Sequence, residues 1–322
     1  MPHRFLRSAV ALTVAGLVVP TAATAARPDC TVTWKLVSTD EFRGASALMR
    51  SQGAATDGRG WFFSWQGGLE RTDDSYLTQA VGAWAVQQAV DPQINQDGTN
   101  HVGNNHIGDI DYYDGKIYAP FEDGGESAGV TDINDPEYQT PYIEIYDAQT
   151  LTNVGSYALD KDIHEAGVPW VAVNAAKGEV YTAEWDMPHD RINVFDTTMH
   201  FQRFLPLSYP AALGAGFHLS RIQGAKVDGN TLYATRDDAD KSVFAIDLTT
   251  GVVTKLFALK PTVPAELEGL AVRPMPDGSL LHVLIVLDNQ EDPTDPDSAN
   301  IHTAFENFAP VVSSGCHRPH SG

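Results

Sequence analysis

The sequence predicts an all-β chain folded as a β-propeller, with five or six four-stranded blades and a ring closed by the two chain termini. Three observations predict it. A strand, a Gly turn and a second strand recur five times along the 322 residues, the second strand bearing an aromatic residue in four of the five. A third strand ending in Asp follows three of those hairpins. Helical periodicity is sparse throughout. Repetition at roughly 45–60 residues marks a repeat architecture, and four short strands per period mark a propeller blade. A β-sandwich and a pair of β-domains are the alternatives, and neither predicts a repeat with one internal order of strands.

The copies run in chain order. "QGAATDGRGWFFSW" starts at Gln52, "HIGDIDYYDGKIYAPFED" at His106 and "VPWVAVNAAKGEVYTAEWD" at Val168. "QGAKVDGNTLYATRDD" starts at Gln223 and "EGLAVRPMPDGSLLHVLIVLDN" at Glu268. Each turns on Asp-Gly or Lys-Gly: Asp57-Gly58, Asp114-Gly115, Lys177-Gly178, Asp228-Gly229 and Asp277-Gly278. Such dipeptides tolerate positive φ and match the twist of a hairpin. The third strands are "YIEIYD", "RINVFD" and "SVFAID", ending at Asp147, Asp196 and Asp247, and "NVGSYAL" and "VVTKLFAL" supply outer strands. The stretch Leu77 to Val90 suits either a short helix or a strand. Five blades are read directly. A sixth could be assembled from "TVTWKLVST" near Thr31 and the tail beyond Asn300.

The architecture gathers residues that are remote in the chain. The first strand of a blade is innermost and the second runs back against it, so the start of one and the end of the other share a mouth. Strand starts contribute Gln52, His106, Asp109, Gln223 and Glu268, with Asp111 a turn further in. Returning ends contribute Trp65, Gln66, Glu122, Asp123, Glu184, Trp185, Asp186, Arg236, Asp237 and Asp288. The result is an acid-rich funnel with aromatic walls, the convergent concave arrangement that ligand sites favour. Gln52, Trp65, Asp109, Glu122, Trp185, Gln223, Arg236 and Asp237 form the expected ligand-binding set. The plain alternative is a set of turn polars and channel-lining groups bound to water.

Composition narrows the partners. "MPHRFLRSAVALTVAGLVVPTAATA" has the basic start, short apolar core and small-residue cleavage site of a signal peptide, so residues 1–25 are expected to be removed. Residues 26–322 then form one propeller domain of a secreted, extracellular protein. No lipobox precedes Cys30, so no membrane anchor is expected. Loss of Arg4 and Arg7 leaves 19 basic against 42 acidic residues, a net charge of −23. Such a surface repels nucleic acid and anionic membranes and suits cations, including calcium. The two cysteines, Cys30 and Cys316, stand near the mature ends. In an oxidising compartment a disulfide is the default, and ring closure would bring them together; two unpaired thiols are the alternative.

"GESAG", Gly125 to Gly129, matches a nucleophile elbow, yet "VTDINDPEYQ" after it has no helical pattern. The loop Asp288 to Asn300 offers hard oxygen donors for calcium without EF-hand spacing and reads equally as a solvated acidic loop. His101 and His106 could share a metal, although loop histidines more often sit in hydrogen bonds. No H-E-x-x-H, C-x-x-C or P-loop is present. Arg221 and Arg236 could hold a carboxylate or phosphate, or simply pair with nearby acids.

"ELEGLAV", from Glu266, and "DGNTLYATRDDADKSVFAIDLTTGVV" resemble secreted bacterial propellers. The first phrase is similar to esterase-like, phytase-like and SMP-30-like propellers, the second to YncE-like repeats, and the chain as a whole resembles an uncharacterised actinobacterial family. In SMP-30-like enzymes a Glu at the start of a blade, with Asn and Asp around the channel, holds a divalent metal. The resemblance implies Glu268 and Asp288 as metal-ligand candidates. Two functions are therefore expected. One is a secreted propeller binding a small molecule, glycan or peptide at its acidic mouth. The other is a calcium-assisted hydrolase or lactonase in which funnel carboxylates hold Ca2+ and His106 is the catalytic general base.

Overall fold

A computed structural model describes residues 32–82, 106–122, 141–160, 162–164, 167–185, 188–275, 278–287 and 302–312. They form five antiparallel sheets arranged as blades. The first blade is β2 (Gly53–Thr56), β3 (Gly60–Trp65), β4 (Gly68–Asp73) and β5 (Thr78–Gly82). The inner strand of the second is split into β6 (His106–Ile107) and β7 (Asp111–Tyr113), followed by β8 (Lys116–Glu122), β9 (Tyr142–Asp147) and β10 (Asn153–Ala158). The third holds β11 (Ala172–Asn174), β12 (Glu179–Thr182), β13 (Arg191–Asp196) and β14 (Phe201–Pro206). The fourth holds β15 (Ile222–Asp228), β16 (Thr231–Arg236), β17 (Ser242–Asp247) and β18 (Val253–Ala258). The fifth is β19 (Ala265–Arg273), β20 (Leu280–Leu287), β21 (His302–Val312) and, as its outer strand, β1 (Val32–Arg43) from the start of the chain.

That last pairing corrects the possible sixth blade. The segment near Thr31 and the tail beyond Asn300 are the fourth and third strands of the fifth blade, paired from Val32 against Val312 to Arg43 against His302. The stretch from Leu77 resolves as strand over Thr78–Gly82, and residues 83–90 lie outside the described residues. The ring is closed through the inner strands: β2 packs on β7 and β19, β11 on β7 and β15, and β15 on β19.

The turn grammar holds. Gly58, Gly115, Gly178, Gly229 and Gly278 all have positive φ, the conformation that hairpin turns require. The Asp ending of the third strand also has a structural reason. One carboxylate oxygen of Asp147 accepts the backbone N–H groups of Gln149 and Thr150. Asp247 does the same for Thr249 and Thr250, and Asp196 for Thr198 and His200. Asp73 repeats the device with Ser75 and Leu77, a fourth copy that the sequence pattern missed. These bonds hold all four carboxyls below the ordinary carboxylate range.

The core consists of five wedges, one between each pair of neighbouring blades. Trp170, Tyr181 and Ile192 face Leu232 and Phe244 between the third and fourth. Phe62 faces Phe121 and Tyr146 between the first and second, and Trp61 and Phe63 face Phe305 between the first and fifth. Tyr118 meets Val173 and Phe195, and Val243 meets Leu267 and Leu281, in the remaining two. Each fully buried large side chain contributes roughly 1.5–3 kcal/mol, so every blade is held by both of its faces. The first and fifth blades gain a polar tie. Arg50 forks onto Glu70 at 2.6 and 2.9 Å while its guanidinium lies 4.4 Å from the Phe42 ring at the end of β1.

Candidate functional site

The hub is closed by Asp109. Its backbone joins the second blade to the third, with its N–H donating to Pro169 (2.9 Å) and its carbonyl accepting from Val171 (3.1 Å). Its carboxylate accepts from Ala54 N of the first blade at 3.1 Å and from Ala225 N of the fourth at 3.0 Å. Lys226 Nζ adds an ion pair at 2.5 Å. A Cβ on Gly269 of the fifth blade would sit 2.9 Å from the same carboxylate, and 2.6 Å from the Cα of Gly53. Only glycine fits where two backbones and a carboxylate approach so closely. Asp109 thus touches every blade and is fully buried. Burial pushes its carboxyl up to about 7 against the opposing pull of Lys226. Asp111, further in, accepts from Val173 N at 2.8 Å.

Above this plug lies the mouth, where neighbouring blades are joined by side chains. His106 Nε2 is 2.7 Å from Gln52 Oε1, and its Nδ1 is 3.5 Å from Glu122 Oε1, its neighbour across the hairpin. Glu122 in turn accepts the backbone N–H of Val168 from the third blade. Trp185 presents its ring to the Arg221 guanidinium at 5.1 Å, across the boundary between the third and fourth blades. Arg221 adopts φ +53°, and its second contact is Asp237 at 3.1 Å. Asp237 also pairs with Lys241 and accepts Leu267 N of the fifth blade at 2.9 Å. Gln223 donates to Glu266 at 3.3 Å.

Two bulges set the aim of the mouth. The ladder of β15 against β16 shifts register between Ile222 and Gly224, at Gln223. The ladder of β19 against β20 shifts between Leu267 and Leu270, at Glu268 and Gly269. A bulge re-aims a side chain that the pleat would otherwise fix. Glu268 is 3 % exposed, and among the described residues no hydrogen-bond donor reaches its carboxyl. Burial first, and then the carboxyls of Glu266, Asp237 and Asp109, push it well above the ordinary carboxylate range.

The expected site residues therefore separate. Gln52, His106 and Glu122 form one cluster, and Trp185, Asp237, Gln223 and Glu268 lie around the other side of the mouth. Asp109 lies beneath both as the plug. Trp65 is half-buried against its own Gly67-Gly68 turn. Arg236 is turned outward to Asp238 (3.6 Å), Ser220 (3.4 Å) and the Phe217 ring. Asp288, His101, the GESAG stretch, the acidic loop, the segment 1–25, Cys30 and Cys316 lie outside the described residues. Among the described residues, no three His, Cys, Asp or Glu side chains are placed to share an ion. Nor is any helix long and apolar enough to cross a membrane. The reading of the sequence missed Lys226, Lys241 and Glu266. An inward Lys on an inner strand of so acidic a chain was the available signal for the first.

No family model matches the chain, and no curated protein matches it. Solved structures with a similar course include a luciferin-regenerating enzyme at 12 % identity and TM-score 0.46, over 84 % of this chain and 95 % of that one. The Kuenenia stuttgartiensis hydrazine synthase aligns at 16 % identity and TM-score 0.41, over 83 % of this chain and 64 % of that one. A Bacteroides thetaiotaomicron protein of unknown function aligns at 11 % identity and TM-score 0.44, over 85 % and 64 % of the two chains.

Proposed function

We propose that this protein is a binding propeller whose acidic mouth receives a cationic group presented by a small molecule or peptide. The observation that carries this reading is Glu268, a buried carboxyl on which Glu266, Asp237 and Asp109 act together against the opposing pull of Lys241, with no donor of its own among the described residues. A cation entering that cluster relieves the repulsion between the carboxyls and lets Glu268 ionise. Trp185, Arg221 and Asp237 make a preformed shelf beside it, with an aromatic face for the body of the ligand. Calorimetric titration with lysine and arginine methyl esters tests the reading. Binding is expected to weaken at least about tenfold, or 1.4 kcal/mol, in Glu268→Gln. Equal affinity in that variant would remove the proposal.

We place this binding outside the cell, on the strength of the signal-like first 25 residues. The setting includes a Cys30–Cys316 disulfide. Its support is the β1–β21 ladder, which brings Val32 opposite Val312, two and four residues from the respective cysteines. Intact-mass measurement of the unreduced protein from culture medium checks both points. The expected mass begins at Ala26 and lies two hydrogens below the dithiol.

A further inference from the structure

A cleft of about 270 Å³ opens between the second and third blades, on the face opposite the mouth. The topology puts it there: its lining comes from the β7–β8 turn and the turn that follows β13, with Tyr118 of β8, Ile145 of β9 and Val154, Gly155 and Tyr157 along β10. Three tyrosines, Tyr113, Tyr118 and Tyr157, line it together with Asp114, Lys116 and Thr197. The Tyr118 hydroxyl donates to the Thr197 carbonyl at 3.1 Å, which ties the two blades together beneath the cleft. No hydrogen bond engages the hydroxyls of Tyr113 and Tyr157 or the Asp114 and Lys116 side chains among the described residues. Part of the space exists because position 155 is glycine, beside a bulge in the β10 ladder.

The chemistry of the lining selects a ligand class. One acid and one base balance, so the cleft favours neither a cation nor an anion, in contrast to the mouth. Tyrosine rings offer flat apolar faces with a polar edge, at little cost in conformational entropy. A pyranose has the complementary surface, an apolar C–H face and a rim of hydroxyls that both donate and accept. Free phenol, carboxylate and ammonium groups supply both kinds of partner. The volume holds about nine waters at ~30 Å³ each, the space of one sugar ring rather than of a long oligosaccharide.

We propose that this tyrosine-lined cleft binds a neutral pyranose unit, independently of the ligand at the mouth. Saturation-transfer NMR tests it, with the methyl glycosides of glucose, galactose, mannose and N-acetylglucosamine as probes. At least one is expected to receive saturation from the wild-type protein. Tyr157→Ala removes one wall. Gly155→Val fills the floor without backbone strain, because a Cβ there meets Ile145 and Tyr157 at ordinary distances of 3.7–3.8 Å and φ is not positive. Both variants, with melting temperatures confirming the fold, are expected to weaken transfer about tenfold. Transfer to none of the four sugars overturns the proposal. So does transfer that survives both substitutions, or that is lost instead in Trp185→Ala at the mouth.

Discussion

Asp109 and Glu268 are both buried carboxyls at the same hub, yet their surroundings are opposite. Two backbone N–H groups and Lys226 converge on Asp109, and Pro169 and Val171 fix its backbone. Glu268 feels three acids, Glu266, Asp237 and Asp109, against the weaker pull of Lys241, and no donor among the described residues reaches it. The difference shows how one ring assigns two tasks. A carboxylate that accepts from donors of two other blades, Ala54 on one oxygen and Ala225 and Lys226 on the other, is a structural tie. One placed in a like-charged cluster stores unfavourable electrostatics that a ligand can relieve.

The largest test breaks the Asp109 side of that comparison. Asp109→Asn leaves Lys226 buried and uncompensated, so urea unfolding is expected to show a loss of about 3–5 kcal/mol. A loss below about 1 kcal/mol would mean that the plug is not a tie at all. Adding Lys226→Met to Asp109→Asn removes the stranded charge and should restore roughly 2 kcal/mol or more. Additive losses in that cycle would show that the two side chains do not act as a pair.

The pH dependence sharpens the comparison. Both carboxyls have folded-state pKa values above their unfolded ones, Asp109 at about 7 and Glu268 well above its usual range. The native state therefore keeps protons that the unfolded chain releases. Their stabilising effect is complete below about pH 4 and is lost as pH rises through about 7. The Asp residues ending the third strands titrate lower and do not interfere above pH 5. Buried His164, His189 and His282 are held well below the ordinary imidazole range and so raise stability with pH up to about 6.5. Above that, unfolding free energy is expected to fall from pH 7 to pH 8, by roughly 1 kcal/mol at a limit of about 1.4 kcal/mol per proton per pH unit. A rise over that range would contradict the assignment.

The smallest effects belong to the mouth. Glu268→Gln should change stability by no more than about 1 kcal/mol at pH 7 while flattening the pH profile. Trp185→Ala, at a half-buried position, should leave the denaturation midpoint nearly unchanged and weaken only the cationic ligand. A large loss of stability in either would make the mouth a structural feature like the plug.

Much of this site was legible in the chain, and the limits follow from particular residues. Gln52, His106, Gln223 and Glu268 could be collected at one mouth because each begins a repeated strand. The roles of Asp109 and Arg236 could not be read the same way. Asp109 follows the break at Gly108, where the inner strand splits, and so reaches the axis instead of the rim. Arg236 finds Asp238 and the Phe217 ring on its outer side. Register shifts at Gln223 and Glu268 carry no local signature, since a bulge alters pairing without altering the alternation around it.

The sequence by itself determined the blade grammar: Gly at the hairpin turn, Asp at the end of three of the third strands, aromatic residues on four of the second strands, and an excess of acid at the mouth. These are local, because turn geometry and side-chain alternation act over a few residues. The tertiary structure alone decided that there are five blades, with β1 completing the last of them against a strand some 270 positions away. It alone set Lys226 against Asp109, 117 residues apart, and left Glu268 without a hydrogen-bonded cation among the described residues. The reason is physical: which remote strands pair is fixed by the joint burial of all five wedges, and no single segment contains that sum.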